Sequence, residues 1–384
     1  MNRLTVALTV IPYLCAAAMS KDPDSPIKRD EEVLFYPTFA RQDDDGRSWL
    51  AAIHGSIFEP EEGSLKRALL VRLLREGIPR KLSEEEERIF NRRVRLFLVD
   101  SERGKAISIR LGSAVHRAGT SGAGGHFRGE VRLSDEQMSA LRGVNPGDDG
   151  WVSFSAVTRP GDRRAFGGRF LPIGPEGLSV VSDIDDTIKL TNVRVRQELL
   201  ANTFLRRFED VPGMASTYQL LAEGKAAFHY VSASPWQLYP PLADFLRDAG
   251  FPPGTFHLKS VRLADSSVLN LVGSQEGYKT LEIEALLKAF PRLRVLLAGI
   301  TLGEVTRLAR VVRRRNVWLD VSWLDGVDCV RRALTATSAS RLVFGSHSPF
   351  FYPDSALLKI AESRLSAAEQ RAICCGNAKR LFRL

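Results

Sequence analysis

Apolar and polar positions follow one rhythm over the first half of the chain and another over the second. Trp49 to Phe58, Arg93 to Val99, Ala106 to Leu111, His126 to Leu133 and Gly150 to Val157 read as strands. Gly/Ser/Asp/Pro clusters at Thr120 to Gly125 and Asn145 to Gly150 punctuate them. Helical spacing interrupts this pattern twice, at Ser64 to Arg75 and at Ser83 to Arg92, the latter opened by Ser83 and a run of Glu. These elements predict a mostly β domain over residues 30–171, with the Gly- and Pro-rich Arg159 to Pro175 as the linker out of it. Beyond the linker, Leu178 to Val181, Ala226 to Val231 and Leu293 to Ala298 are short apolar runs, and Leu281 to Phe290 has helical character. That alternation predicts an α/β fold with a parallel sheet.

Composition adds bounds. At 384 residues, with 44% apolar and 26% charged positions, the chain has the make-up of a soluble globular protein with room for two or three domains. A net charge of +9 favours anionic partners. The basic residues are scattered and form no tail or aromatic-basic stripe, so no nucleic-acid partner is expected. A phosphorylated substrate or peripheral contact with an anionic membrane fits the charge better. Met1 to Ala18 has a basic start, an apolar run and small residues suited to cleavage, the layout of a secretory signal peptide. It predicts a secreted or periplasmic protein. Cys15 would leave with that segment, and Cys329, Cys374 and Cys375 make no disulfide framework.

The richest chemistry stands at Leu178 to Thr191, LSVVSDIDDTIKLT. A strand ends abruptly in Asp183, Asp185 and Asp186, a crowding of carboxylates that requires a cation or a proton-transfer task to balance it. The C-terminal edge of a parallel sheet is also where open α/β folds place their ligands. A second strand, Ala226 to Val231, ends in Ser232-Ala233-Ser234-Pro235, whose hydroxyls suit a phosphoryl oxygen. The amides of a helix beginning after Pro235 would favour the same anion. Lys279 opens the helix before Phe290, where its charge would offset a carboxylate's. His54, His116 and His126 lie apart from acids and cysteines in sequence and read as structural.

The pattern Asp-x-Asp-x-Thr after a hydrophobic strand resembles the first motif of the haloacid dehalogenase superfamily of phosphatases. The resemblance implies a Rossmann-like haloacid dehalogenase core with a parallel sheet. It makes Asp183 the nucleophile, Asp185 the general acid/base and Thr187 a holder of the turn. Ser232 and Lys279 match the second and third motifs, and Ser234 joins Thr187 as a substrate-binding residue. Asn202-Thr203-Phe204, Val211-Pro212-Gly213-Met214, His229 to Tyr239, Gly250-Phe251-Pro252 and Phe256 to Lys259 are similar to the actin-patch-associated phosphatidate phosphatases. Over residues 172–291 this implies removal of phosphate from phosphatidate or another phospholipid phosphomonoester. It implies Mg²⁺ as cofactor, held by the Asp183 carboxylate, the Asp185 carbonyl and a later acid. At that later position the family carries an Asp, whereas this chain has Ile300, which cannot ligate a hard cation. Glu304 is the nearest substitute.

The last segment, residues 292–384, changes character. Asn316 to Trp323, Arg341 to Phe350 and Gly376 to Phe382 resemble the last third of amidohydrolase-type TIM barrels, with His347 where that family places an Asp. The first half of such a barrel is absent, so these βα units cannot close one. They are expected to pair as parallel strands beside the phosphatase sheet, joined to it near Phe290 to Gly299. Three activities follow: a phosphatidate phosphatase-like hydrolase impaired at its metal, an inactive phosphate- or lipid-binding relative, and a metal-dependent amidohydrolase-type hydrolase.

Overall fold

The computed structural model describes residues 25–43, 46–60, 81–142, 150–260, 278–290, 294–314, 316–348 and 351–382. The signal-peptide segment and the helix expected at Ser64 to Arg75 lie outside these residues.

Alternation builds the first sheet. Its strands are β1 (Glu32–Tyr36), β2 (Thr38–Gln42), β3 (Ser48–Pro60), β4 (Val99–Ser101), β5 (Ala106–Leu111), β6 (Ala114–Thr120), β7 (His126–Ser134), β8 (Val152–Ala156) and β9 (Gly167–Ile173). In β5, Ile107, Ile109 and Leu111 point inward at every second position, as a one-sided strand requires. The long β3 organises the sheet: β1 and β2 pair with successive stretches of one edge, and β7 pairs along the other. Pro37 interrupts the first ladder because it has no N–H to donate.

Two expectations are corrected here. Arg93 to Val99 is not one strand: α1 (Glu84–Arg95) runs through Arg95, and the strand begins only at Val99. Ser83 and Glu86 form a capping box, and Phe90, Val94 and Phe97 recur on one buried face, so helical spacing prevails over the local alternation of Val94, Leu96 and Leu98. The supposed linker Arg159 to Pro175 contains β9, paired parallel with β2 and antiparallel with β8. Gly168 reflects crowding, since a Cβ there would stand 2.5 Å from the Phe154 ring and 2.7 Å from Phe35.

The second sheet is wholly parallel. It comprises β10 (Leu178–Asp183), β11 (Ala227–Pro235), β12 (Thr255–Lys259), β13 (Arg294–Leu297), β14 (Val317–Asp320) and β15 (Leu342–Val343), in the order β12-β11-β10-β13-β14-β15. After α2 (Asp135–Arg142) in the β domain, the helices along this sheet begin with α3 (Arg196–Phe204), α4 (Met214–Glu223), α5 (Tyr239–Asp248) and α6 (Tyr278–Ala289). Then come α7 (Leu302–Arg307), α8 (Ala309–Val312), α9 (Cys329–Ala333), α10 (Pro353–Glu362), α11 (Ala367–Arg371) and α12 (Asn377–Phe382). Strands step outward from β10 to β12, and then β13 returns to the other side of β10. Strand order therefore reverses between β10 and β13, where a crevice forms at the carboxyl ends. The strands expected to continue the sheet from the C-terminal segment do so: Leu297 is in register with Val181, Leu319 with Leu297 and Leu342 with Leu319.

A shared core joins the two sheets. Tyr36, Phe90, Val94 and Phe97 from the β domain pack in one cluster with Phe204, Tyr230, Trp236 and Leu242. The Tyr36 and Trp236 rings lie 4.1 Å apart and His54 stands edge-on to Trp236 at 4.6 Å. Arg93, buried on α1, donates to the Thr203 carbonyl at 2.6 Å and covers the Phe208 ring at 3.8 Å. Within the parallel sheet a polar chain crosses three strands. Ser179 meets His229 Nε2 (3.3 Å), His229 Nδ1 meets Thr255 (2.7 Å), Thr255 meets His257 Nε2 (3.1 Å), and His257 Nδ1 meets Glu282 of α6 (3.0 Å).

Candidate active site

The acidic turn begins where β10 stops. Asp183 is its last residue, in register with Val231 of β11, and its carboxylate accepts the Ile184 N–H at 2.9 Å. The chain then turns tightly, with Thr187, Ile188 and Lys189 all donating backbone N–H to the Ile184 carbonyl. Asp186 adopts a left-handed φ of 57°, a conformation Asp tolerates better than most residues. Its carboxylate accepts three backbone N–H bonds, from Thr191 (2.8 Å), Asn192 (2.7 Å) and Val193 (2.8 Å), so this third acid shapes the loop. Thr187 contributes its backbone; the hydroxyl that grips the acids is that of Thr191, whose own carbonyl is held by Asn202.

Asp185 is the hub. Its Oδ1 lies 3.0 Å from Lys189 Nζ and accepts the Thr191 hydroxyl at 2.9 Å. Its Oδ2 accepts the Ser232 hydroxyl at 2.9 Å and the Ser234 hydroxyl at 3.0 Å. The two serines arrive from the end of β11, where the register against β12 shifts between Ser232 and Pro235. Burial alone would raise the Asp185 pKa, but the Lys189 charge and the donated hydrogen bonds outweigh it and hold the acid below its ordinary value. Lys189 is 2% exposed and also lies over the Phe208 ring at 4.8 Å. It is the residue that sequence reasoning passed over. The signal was available: three carboxylates demand a counter-charge, and Lys189 is the nearest cation in sequence, set between Ile188 and Leu190.

Of the residues singled out in the sequence, Asp185, Ser232 and Ser234 meet in the structure, and Asp183 ends β10 two residues before Asp185. Lys279 lies in the first turn of α6, with its side chain outside the described residues. The helix after Pro235 is corrected in form. A 3₁₀ turn (Trp236–Leu238) precedes α5, and Pro240 and Pro241 at its start lack the N–H groups an anion would need.

The metal donors do not assemble as the resemblance implies. Ile300 packs against the apolar cluster around Leu297, Val305 and Val311. Glu304 is corrected from metal ligand to helix cap: its carboxylate accepts the Thr301 N–H at 2.8 Å and the Thr301 hydroxyl at 2.9 Å, completing a capping box on α7. Among the described residues no group of three or more His, Cys, Asp or Glu side chains is placed to hold a metal ion.

Across the switch point, the C-terminal segment closes in. Asp320, at the end of β14, accepts the Gly299 N–H (3.1 Å) and the Ser322 hydroxyl (2.9 Å). Its burial raises its pKa against the lowering effect of those bonds and of His347. His347, itself at a left-handed φ of 56°, lies against Gly299 and forms an aromatic corner with Trp323 and Phe351. This corner, with Asp186 and Arg194 from the acidic loop and Lys359 from α10, lines a cleft of about 660 Å³.

Comparison with known proteins finds similarity to two families over two segments of the chain. Residues 178–301 match the catalytic domain of phosphatidate phosphatase APP1, and residues 278–384 match the amidohydrolases. Phosphatidate phosphatase APP1 of Saccharomyces cerevisiae is 32% identical over 131 residues, covering 33% of this chain and 22% of that protein. An uncharacterized protein of Schizosaccharomyces pombe is 34% identical over 79 residues, covering 20% of this chain and 13% of its own. The matches thus span about a fifth or less of these curated relatives. Among solved structures, 2,6-dihydroxybenzoate decarboxylase complexed with 2,6-dihydroxybenzoate aligns with 45% of this chain and 56% of its own at 17% identity and a TM-score of 0.26. The 5-carboxyvanillate decarboxylase of Sphingomonas paucimobilis aligns with 45% of this chain and 54% of its own at 15% identity and the same TM-score. The two family matches adjoin along the chain and overlap over residues 278–301.

Proposed function

We propose that this is a phosphatidate phosphatase-like protein of haloacid dehalogenase type. Its pocket recognises a lipid phosphomonoester, and its turnover is held low by the missing metal donor. The observation that carries this reading is the convergence of Ser232, Ser234, Thr191 and Lys189 on Asp185, two residues from Asp183, at the reversal point of the parallel sheet. Asp183 suits in-line attack on phosphorus: its carboxylate oxygen forms the new P–O bond as the bond to the lipid alcohol breaks. Lys189 keeps Asp185 ionised, so the departing alkoxide takes its proton from water. Asp185 then serves as base, removing a proton from the water that cleaves the aspartyl-phosphate and restores Asp183.

A second reading, a phosphate- or lipid-binding relative without turnover, is favoured by the packing of half-buried Ile300 against the apolar core and by the placement of Glu304 in its cap. An amidohydrolase-type activity finds less support, because the Asp320 carboxylate is committed to Gly299 and Ser322. Hydrolysis of an aryl phosphate and of phosphatidate, each with Mg²⁺, tests the readings. Weak turnover abolished by Asp183→Asn and increased by Ile300→Asp supports a phosphatase. Robust turnover that is indifferent to Asp183→Asn overturns the assignment.

A further inference from the structure

A cavity of about 290 Å³ lies between the β domain and the turn that follows β11, and none of its lining residues belongs to the acidic turn. β1, β3 and β4 supply Val33, Ile57 and Val99 to its wall, β7 supplies His126, and the 3₁₀ turn supplies Trp236. Two polar atoms of this wall, Trp236 Nε1 and His126 Nδ1, are buried and have no hydrogen-bond partner among the described residues. His54 Nε2 is likewise unpartnered there, on a ring that stands edge-on to Trp236 and 5.5 Å from His126. Tyr36, by contrast, spends its hydroxyl on Ser56 at 3.0 Å. Buried polar atoms are normally satisfied, so three of them around one cavity amount to an unmet demand for a partner.

That demand has a definite chemistry. An indole N–H only donates, so Trp236 requires an acceptor. Burial and Arg128 push the His126 pKa down to about 4 and hold that of His54 well below its ordinary value. Both rings are therefore neutral near pH 7, each with one N–H and one lone pair. The charged side chains of the wall, Glu32 and Arg95, are exposed and opposite in sign, so a charged occupant meets no buried counter-charge. The remaining wall is largely apolar, and the space equals about ten water-sized volumes. We infer that this cavity binds a small neutral amphiphile, a molecule with a hydrocarbon body and one hydroxyl, which accepts from Trp236 Nε1 and completes its bonding at the His126 ring. The centroids of those two rings are 6.3 Å apart, a span that one oxygen bridges with two hydrogen bonds of about 3 Å. The site is independent of the phosphatase reading yet adjoins its machinery. Trp236 stands two residues past Ser234, whose hydroxyl donates to Asp185, so an occupant braces the turn that carries the serines.

Titration calorimetry of the full chain with 1-hexanol tests this, and saturable binding of one molecule per chain is expected. Hexylamine, an ammonium ion at neutral pH, should bind at least roughly tenfold more weakly. Trp236→Phe should lower the affinity for 1-hexanol roughly fivefold and leave that for 1-chlorohexane, which has no hydroxyl, nearly unchanged. Val99→Trp fills the cavity from its half-buried wall and should weaken both ligands at least roughly tenfold. Circular dichroism checks each fold, and Ser101→Phe, at an exposed position of the same wall, replaces Val99→Trp should that variant fail to fold. Hydrogen exchange of the segment from Ser234 to Leu238 should slow when 1-hexanol is bound. Absence of saturable binding, as for a cavity that holds water only, would overturn the inference. So would equal affinity for hexylamine, indifference to the cavity-filling variant, an equal loss of both ligands in Trp236→Phe, or unchanged exchange at that segment.

Discussion

Replacing Lys189 with Met removes the charge and keeps much of the length of the side chain over Phe208. The parent pair is 3.0 Å apart, with side-chain exposures of 2% and 15% for Lys189 and Asp185. Deleting one member of a buried pair costs roughly 3–5 kcal/mol, because the other charge is left without its counter-ion. Asp185 keeps three hydroxyl donors, from Thr191, Ser232 and Ser234, so the expected loss lies at the lower end, about 3 kcal/mol at neutral pH. The pH dependence is diagnostic. In the parent, the Asp185 pKa is lowered from 3.8, so its contribution is present above that value and fades as pH falls through the lower folded pKa. In Lys189→Met, burial is opposed only by the hydroxyls, and the folded pKa should move up. The variant then regains stability as pH falls toward 3.8, and the gap between the two proteins narrows. Urea unfolding across the acidic to neutral range measures this directly, and Asp185→Asn in the Lys189→Met background should recover part of the loss. A difference below about 1 kcal/mol that does not vary with pH would refute the claim that Lys189 neutralises the acidic turn.

Other expectations are more compact. His126, whose pKa is pushed down to about 4 by burial and by Arg128, and His229, pushed down to about 3 by burial, protonate on unfolding before they do in the fold. Stability should be level above pH 6.5 and fall below it, by at most roughly 3 kcal/mol through His126 and roughly 5 kcal/mol through His229, as followed by Trp fluorescence. Glu304→Ala should cost about 1 kcal/mol through its capping box and leave Mg²⁺ dependence untouched, whereas a loss of metal response would restore Glu304 as a ligand. Asp185→Asn should slow any aryl phosphate hydrolysis by roughly two to four orders of magnitude. Gly168→Ala should destabilise the β domain, measured by thermal unfolding, because its methyl would meet the Phe154 ring.

Where residue type carried a direct physical demand, the chain was readable. A buried strand that ends in clustered acids has few uses, and Asp183 and Asp185 stand at the carboxyl edge as that demand requires. The serine hydroxyls at the end of β11 were legible for the same reason, and the sheet-extending strands of the C-terminal segment through their resemblance to barrel βα units. What escaped were features whose local chemistry admits two readings. Gly168 looks loose in sequence, yet it is glycine because two aromatic rings leave no space for more. Val94, Leu96 and Leu98 alternate like a strand, but the cap at Ser83 and the buried face of Phe90, Val94 and Phe97 commit part of the segment to a helix. Lys189 reads as an ordinary solvated lysine until the fold buries it against Asp185. Glu304 stood near the metal position in sequence, and only the geometry of Thr301 shows where its carboxylate turns.

The overlap of the two family matches at α6 and β13 bears on how such a chain can exist. β13 pairs with β10 on one side and β14 on the other, so the two family matches meet inside a continuous run of hydrogen bonds. A barrel strand and an open-sheet strand present the same parallel ladder, so βα units similar to those of a barrel can lengthen an open ribbon. The ribbon stops at β15, two residues long, with the Asn377 side chain on the Leu342 carbonyl limiting further growth. The two likenesses part where the sheet does not, and severing the chain at their seam would strip β10 of a neighbour rather than release two domains.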